Sequence, residues 1–223
     1  MEIKKIAVLM AVFNRIEMTI KCLENFKLAT LKTPEINYEI YILDDASTDS
    51  TNDIISNLYP NIKLVSGNGN LYWCRGMIKA WEVASKSDYD AYILLNNDSY
   101  VYENGLEILL GNALKNNYES IISGAFRSAF TNVSTYGGRL KGEMVTLTPN
   151  GKFQKIELLN GNLVFIPKVV YKKIGKLDSL FHHAIGDYDY GLRAIKNGFK
   201  VLLTEQYVGT CESHDKVQGC YDI

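Results

Sequence analysis

The stretch Tyr92–Tyr100, YILLNNDSY, decides the fold of this chain. Its first half is an apolar run of the kind that fills a parallel strand buried on both faces. Its second half, Asn96 to Ser99, is polar. Residues of these types often form turns, because their side chains hydrogen-bond to the nearby backbone. The alternative is that Asp98, a carboxylate at the end of a buried strand, binds a ligand.

Strand-like and helix-like segments alternate on both sides of this stretch. Short apolar runs predict strands at Ile6–Phe13, Tyr38–Leu43, Ile62–Val65, Ala91–Leu95 and Ser120–Phe126. Helical spacing predicts helices at Glu17–Leu31, Ser47–Leu58, Tyr72–Lys86 and Leu106–Leu114. This alternation indicates βαβ units, and therefore an α/β fold with a mostly parallel central sheet flanked by helices. The polar residues that follow parallel strands then meet at one edge of the sheet, where ligands bind.

The second half of the chain has a different pattern. Short alternating segments predict a small antiparallel addition, with strands at Val133–Leu140, Glu143–Leu147 and Lys152–Leu159. The following segments predict a buried strand at Asn162–Ile166, a helix from Pro167 to about Ile174, and a helix from about Asp187 to Asn197. Because no linker separates the halves, we expect one domain over residues 1–223, divided at about residue 126.

Composition excludes several classes of function. The 223 residues are 47% hydrophobic with a net charge of −1, so nothing in the overall charge attracts nucleic acid or an anionic membrane. The cysteines, at positions 22, 74, 211 and 220, form no CxxC pair and are expected to be free thiols in a reducing cytosol. The N-terminal apolar run is too short for a signal peptide or a membrane span. We therefore expect a cytoplasmic protein that reaches any membrane substrate from the surface.

Two loops carry candidate binding residues. In DDASTDSTNDII, Ser47 or Thr48 is predicted to cap a helix with Asp49 in its first turn, whereas Asp45, at a strand end, is able to accept the N3–H of uracil or thymine. In GNGNLYWCRGM, the glycines allow backbone to approach a ligand, the aromatic pair offers a stacking surface, and Arg75 is able to contact phosphate. The competing interpretation is a glycine turn with its aromatic residues in the core.

The remaining candidates are acids and histidines. One carboxylate, Asp98, suffices for Mg²⁺ or Mn²⁺ if a diphosphate completes the coordination. In GDYDYGLR, Asp187 is either a dipole-stabilising acid at a helix start or a base that projects into the crevice, and Asp189 is expected to pair with Arg193. His182 and His183, if they lie in a strand, point to opposite sides.

Taken together and in this order, these motifs resemble the family-two glycosyltransferases of the GT-A fold. The matching segments run from about residue 4 to 215 and read AVFNR, DDASTD, GNGNLYW, LLNNDS, LLNGNLVFIP, IGKLDSLF and GDYDYGLRAIKNGFKV. Each motif is weak, but seven in the correct order are specific. The subgroup that the sequence resembles is that of the rhamnosyltransferase-like enzymes of bacterial surface polysaccharides.

The resemblance implies a role for each matching residue. The donor nucleotide would be bound by Phe13, Asn14, Asp45, Asn70, Arg75 and Asn96, with Phe13 and Asp45 at the base, Asn96 at the ribose and Arg75 at the diphosphate. Asp98 and the late His214 would hold Mg²⁺ or Mn²⁺, and Asp187 would be the catalytic base. The chain departs from the family pattern at three positions: Phe13 replaces Tyr, Asn96 replaces Asp, and Gly186 replaces Glu.

The resemblance therefore implies a metal-dependent inverting transferase. It would move a sugar from a UDP or dTDP donor to a hydroxyl of a glycan or lipid-linked acceptor, with peripheral membrane association and the first half of the chain holding the donor. One base is enough for such a displacement, whereas a glycosidase needs two carboxyl groups. The missing acids keep a non-catalytic nucleotide-sugar-binding subunit as the alternative. A sugar nucleotidyltransferase is disfavoured, because AVFNRIEMT lacks glycine.

Overall fold

The computed structural model describes residues 3–213, which form twelve β-strands and six α-helices. The strands are β1 (Lys5–Val12), β2 (Asn37–Asp44), β3 (Lys63–Ser66), β4 (Ala91–Leu95), β5 (Tyr100–Val101), β6 (Ser120–Arg127), β7 (Ser134–Tyr136), β8 (Gly138–Arg139), β9 (Gln154–Lys155), β10 (Leu158–Leu159), β11 (Leu163–Pro167) and β12 (Lys200–Thr210). The helices are α1 (Ile16–Thr30), α2 (Thr51–Leu58), α3 (Tyr72–Ala84), α4 (Gly105–Lys115), α5 (Lys168–Ile174) and α6 (Gly186–Lys196).

The main sheet has the strand order β3-β2-β1-β4-β11-β6-β12-β5. The first four strands are parallel, so their carboxyl ends share one edge, as the sequence predicts. The chain proceeds outward from β1 to β3 and then returns to place β4 on the other side of β1. This reversal of strand order opens a crevice beyond the carboxyl ends of β1 and β4, which is where α/β sheets bind ligands.

Both faces of the sheet are buried, because helices cover each of them. In β1, alternate residues enter two separate cores: Ile6, Val8 and Met10 pack with α1 and α4, while Ala7 and Leu9 pack with α3 and α6. The apolar runs read from the sequence are therefore continuous because neither face meets solvent. Within residues 3–213, none of the helices combines the length and the apolar character that crossing a bilayer requires.

The α/β architecture is confirmed, but the second half contains less strand than predicted. Strand β11 is inserted antiparallel between β4 and β6, and the predicted antiparallel strands are reduced to the short strands β7 to β10. Of these, β8 pairs with β10, β7 with β6 and β9 with β12. The predicted strand Glu143–Leu147 is wrong. Gly142 turns the chain with a φ of +88°, and Met144 and Val145 then project into solvent without a neighbouring strand. The two-residue strand β5 was not predicted.

Candidate functional site

The ends of β1 and β2 are tied together at the crevice. The Asn14 N–H donates to Ser47 Oγ (2.9 Å), and the Thr48 N–H donates to Asn14 Oδ1 (2.7 Å). The Ile16 N–H, at the start of α1, donates to Asp49 Oδ2 (3.0 Å), and Asp49 also accepts from Thr51. Neither Ser47 nor Thr48 caps α2, which begins later than predicted at Thr51, because both are engaged by Asn14.

Asp45 organises the loop that precedes α3. Its carboxylate accepts four backbone N–H groups, those of Asn68 and Gly69 at Oδ1 and those of Leu71 and Tyr72 at Oδ2, at 2.8 to 3.1 Å. A carboxylate has about four acceptor positions, so the loop uses all of them. Direct contact between Asp45 and a base stays a prediction. These four hydrogen bonds show that Asp45 fixes the conformation of the loop at residues 68–72.

Trp73 and Gly161 join the loop to the end of β4. The Trp73 indole N–H donates to Asn96 Oδ1 (2.7 Å). The indole lies so close to Gly161 that a Cβ there would be 2.3 Å from Trp73 Cζ2. The Asn96 N–H donates to the carbonyl oxygen of Asn162 (3.0 Å). The 160–162 turn therefore contacts both Trp73 and Asn96, which are also hydrogen-bonded to each other.

Asp98 lies at the bottom of the crevice, with its side chain 10% exposed. Arg15 Nη1 is 3.6 Å from Asp98 Oδ2, and the Cys211 thiol donates to Asp98 Oδ1 at 3.8 Å. Burial, and secondarily the charge of Asp98, raise the pKa of the Cys211 thiol far above its usual range. Asp98 therefore presents its carboxylate oxygens to the crevice while most of its side chain is shielded from solvent.

The fit of a divalent cation to this position is limited. Among residues 3–213, no three side chains of His, Cys, Asp or Glu are grouped as a metal site. His214, the second predicted ligand, lies outside the described residues. Mg²⁺ is commonly held by one or two carboxylates together with substrate phosphates. Asp98 therefore offers a cation one carboxylate ligand, and a diphosphate and water would complete its coordination.

Asp187 is the second residue of α6 and is partly buried. Its Oδ2 accepts the Gly161 N–H (3.0 Å), and its Oδ1 accepts the Tyr188 N–H (2.9 Å). Desolvation raises the pKa of this carboxyl group to about 6, because the two hydrogen bonds and the charge of Arg139 only partly offset the loss of water. A carboxylate with such a pKa is a competent base near neutral pH.

Arg139 is a neighbour of Asp187 that sequence reasoning missed. Its Nη2 donates to the Tyr188 hydroxyl (3.0 Å), and its guanidinium lies 5.2 Å from the centre of the Tyr188 ring. Its buried Nε has no hydrogen-bond partner among residues 3–213. A single arginine in a weakly patterned segment carries no sequence signal that would reveal this placement.

The glycine that replaces the expected glutamate before Asp187 is explained by packing. A Cβ at Gly186 would be 2.4 Å from Cys74 Sγ. The preceding residue, Ile185, has a φ of +74°, which is strained for a β-branched side chain. The thiol of Cys74, on α3, therefore occupies the space that a side chain at position 186 would need.

The rim of the crevice contains the remaining predicted residues. Arg75 Nε donates to the Ser179 carbonyl oxygen (3.0 Å), and the rings of His182 and His183 both lie about 6 Å from Tyr72. The two histidines are not in a strand, and both of their rings lie beside the same residue, Tyr72. Phe13 and Asn70 are exposed at the strand and loop ends. As predicted, Asp189 forms an ion pair with Arg193 (2.6 Å). It therefore differs from Asp187, which has no such ion pair among residues 3–213.

The crevice thus brings together most of the residues singled out from the sequence. Hydrogen bonds link Asn14 to the end of β2, Asp45 to the loop before α3, and Asn96 and Asp187 to the 160–162 turn. Phe13, Asn70 and Arg75 lie at its rim. A buried carboxylate, a carboxyl group with a raised pKa and a glycine-containing loop along one sheet edge suit an anionic ligand and a proton transfer.

Comparisons with known proteins agree with this arrangement. The model of the family described as glycosyl transferase family 2 matches residues 7–170. Residues 1–349 of TarS from S. aureus, solved in complex with UDP, superimpose with a TM-score of 0.68 at 14% identity, over 93% of this chain and 60% of TarS 1–349. The mannosyltransferase PcManGT from Pyrobaculum calidifontis, solved with GDP-Man and Mn²⁺, gives 0.67 at 12% identity, over 98% of this chain and 59% of that one.

These similarities have defined limits. At identities this low, the solved structures show a shared fold and nothing finer. The chain spans about 60% of the length of the first two structures and 36% of the longer TarS structure. No curated protein sequence matches the chain. The rhamnosyltransferase-like subgroup stays a prediction.

Proposed function

The chain belongs to glycosyl transferase family 2, and from that membership we propose that it transfers a sugar from a nucleoside diphosphate sugar to an acceptor hydroxyl. The observation that carries the proposal is the placement of Asp187. Its carboxylate is held by the Gly161 N–H at the crevice, next to the strand ends that would hold the donor, and its pKa is raised to about 6. This is the position and the basicity that a general base for a hydroxyl requires.

The proposed reaction is a single inverting displacement. The acceptor oxygen forms a bond to the anomeric carbon while the bond from that carbon to the diphosphate oxygen breaks. The acceptor proton passes to Asp187, and the electron pair of the broken bond leaves with the nucleoside diphosphate. The two backbone N–H groups at Asp187 fix the carboxylate orientation. Arg139 would stabilise the charged carboxylate before the proton arrives.

The donor would lie along the carboxyl ends of β1, β2 and β4. We place its base beside Phe13, Asn14, Asn70 and the loop shaped by Asp45, its ribose near Asn96, and its diphosphate between Asp98 and Arg75. Mg²⁺ or Mn²⁺ held by Asp98, with His214 as a further ligand, would neutralise charge on the leaving diphosphate. The titles of the two similar structures name different nucleotides, UDP and GDP-Man, so UDP or dTDP as donor rests on the sequence motifs alone.

The proposed acceptor is a glycan or a lipid-linked glycan of a surface polysaccharide, approached from the inner face of the membrane. Four apolar side chains in the second half of the chain, Phe130, Met144, Val145 and Leu180, are each 74% exposed or more and are the candidates for contact with lipid. The described cysteines are all free and buried, which agrees with a reducing cytoplasm. Nucleic acid is not among the proposed partners.

The experiment that tests this function measures nucleoside diphosphate binding and release. UDP-, dTDP- and GDP-sugars are offered with Mn²⁺ or with EDTA, and thermal unfolding reports binding, since a ligand at 100 times its Kd stabilises by about 2.7 kcal/mol. Release of diphosphate reports turnover, with water as acceptor where none is known. We expect one donor class to bind, and we expect Asp98→Ala to weaken the Mn²⁺-dependent part of that binding.

Asp187→Asn separates catalysis from binding. We expect it to bind the donor like the wild type and to lose turnover by about 10²-fold or more, since a positioned base contributes that much. Turnover close to wild type would remove Asp187 as the base. A different result would be that the wild type binds a donor but shows no turnover with any acceptor tried. That result would favour a non-catalytic subunit, the alternative suggested by Asn96 and Gly186 standing where the family has acids.

A further inference from the structure

Arg15 closes the AVFNR motif, but neither the resemblance nor the proposed mechanism assigns it a role. It is the residue immediately before α1, and its side chain extends over the end of β4 toward Asp98. The arginine side chain is 44% exposed, whereas that of Asp98 is 10% exposed. The pair therefore joins a solvent-facing cation to a nearly dry anion.

The contact between them is an ion pair that is longer than a hydrogen bond. Nη1 and Oδ2 are 3.6 Å apart, whereas a guanidinium in a tight pair approaches a carboxylate oxygen to about 2.7–2.9 Å. The guanidinium carries five N–H donors in a planar fork that matches phosphate oxygens as well as carboxylate. A loose pair leaves that fork free to turn toward an incoming anion.

The neighbouring residues indicate the position of the Arg15 guanidinium. Burial, and after it the charge of Arg15, lower the pKa of His183, so the Arg15 charge lies near His183 as well as beside Asp98. The 182–183 segment is fixed to the start of α3 by the Cys74 N–H, which donates to the His182 carbonyl oxygen (3.0 Å). Arg15 therefore lies beside Asp98 and near the 182–183 segment, next to the space proposed for the diphosphate.

A divalent cation at Asp98 would change this balance. The guanidinium and the cation are both positive, and each is stabilised by the same buried carboxylate. Bringing both to Asp98 at once costs electrostatic repulsion at short range. A bound diphosphate removes the conflict, because it supplies oxygens for the cation and a second anion for the guanidinium.

We infer that Arg15 is a diphosphate-binding residue that Asp98 holds at the crevice entrance in the free protein and releases when a diphosphate and its cation bind. The inference rests on the proposed function, since it assumes a nucleoside diphosphate in the crevice. It separates two effects of Arg15 that have opposite sign. Arg15 opposes binding of a cation alone and favours binding of a diphosphate alone.

The test uses Arg15→Gln, with Arg15→Lys as a second variant and Lys27→Gln as the control. Lys27 lies in the last turn of the same helix, so its replacement removes the same charge away from the crevice. Calorimetry measures Mn²⁺ alone, and then UDP, dTDP, GDP and the matching nucleosides in EDTA. Melting temperatures establish that each variant is folded.

The expected result is a crossed pattern. Arg15→Gln should bind Mn²⁺ several-fold more tightly than the wild type and bind the diphosphate in EDTA about tenfold more weakly, a change of about 1.4 kcal/mol, with nucleoside binding unchanged. Arg15→Lys should retain part of the diphosphate affinity. Lys27→Gln should behave as wild type in every titration.

Two results would overturn the inference. If the wild type binds a diphosphate and Arg15→Gln (or Arg15→Lys, should the first variant not fold) binds it equally well in EDTA, then the ion pair is only structural. If Mn²⁺ affinity does not rise in Arg15→Gln, the exchange at Asp98 is refuted. Failure of the proposed function looks different, because the wild type itself would then bind no nucleotide with or without Mn²⁺, and the inference would fall with it.

Discussion

Replacing the proposed base, Asp187→Asn, should make the protein more stable at alkaline pH while removing the proposed transfer. The ordinary aspartate pKa is 3.8, and burial raises it to about 6 at this position. A pKa raised by that much corresponds to ~3 kcal/mol by which ionisation of Asp187 destabilises the folded state. The sign follows from proton binding: between the two pKa values the unfolded chain has lost the proton and the folded protein has not, so stability falls as pH rises.

The asparagine also has a cost. It is able to accept only one of the two N–H groups that the carboxylate accepts, those of Gly161 and Tyr188. The lost hydrogen bond costs about 1–2 kcal/mol at any pH. The destabilisation from ionisation is about half developed at about pH 5 and complete at about pH 8. The variant should therefore match the wild type at about pH 5 and exceed it by about 1–2 kcal/mol at about pH 8.

Thermal unfolding without ligand measures this difference, since 1 kcal/mol shifts the Tm of a domain of this size by about 2–4 °C. Asp189→Asn is the matched control, because it removes an acid from the same turn but breaks an ion pair with Arg193. The control should be destabilised at both pH values. If Asp187→Asn is instead less stable than the wild type by the same amount at about pH 5 and at about pH 8, ionisation of Asp187 does not destabilise the folded protein. The argument that burial raises its pKa is then refuted.

Three further predictions concern the surroundings of the base. Gly161→Ala places a methyl group 2.3 Å from the Trp73 ring and should cost about 1–3 kcal/mol in chemical unfolding, whereas Gly111→Ala, where the added Cβ meets nothing within 4 Å, should stabilise by about 0.5–1 kcal/mol. Trp73→Phe loses the indole N–H bond at the end of β4 and should cost about 1 kcal/mol, with weaker donor binding by calorimetry. Arg139→Met removes a charge that lowers the pKa of Asp187, so the acidic limb of the pH–rate profile should move to higher pH; a limb that stays in place would mean that another group sets it.

The parallel half of the fold could be predicted because its signal is local. A strand buried on both faces is a continuous apolar run, and the predicted strand Ala91–Leu95 matches β4 at both ends. The convergence of polar strand ends follows from parallel topology alone, and it correctly placed Asn14 and Asp98 at one edge. The antiparallel addition was harder, because its strands are only two or three residues long and bury little apolar surface.

The fine structure of the site depends on contacts between distant segments. Gly161 is important because Trp73 packs on it, and Arg139 because it faces Tyr188, but neither pair has a spacing that a sequence pattern reports. For Asp45, the sequence offered a helix cap nearby or a base contact. The structure adds the four backbone N–H groups of a loop more than twenty residues away, an arrangement that exists only once the loop has folded around the carboxylate.

At positions 96 and 186 this chain lacks acids that the family pattern has, and the two replacements have different explanations. At position 186, the Cys74 thiol fills the space, so a glutamate there would require α3 and α6 to move apart. At position 96, asparagine accepts the Trp73 indole N–H, and an aspartate would accept it equally well. Packing therefore explains Gly186 but not Asn96. We attribute Asn96 to charge. An aspartate at position 96 would add a second negative charge near Asp98 and would require more positive charge to balance it. In this chain the neutral Asn96 leaves one carboxylate, Asp98, which is paired with one cation, Arg15.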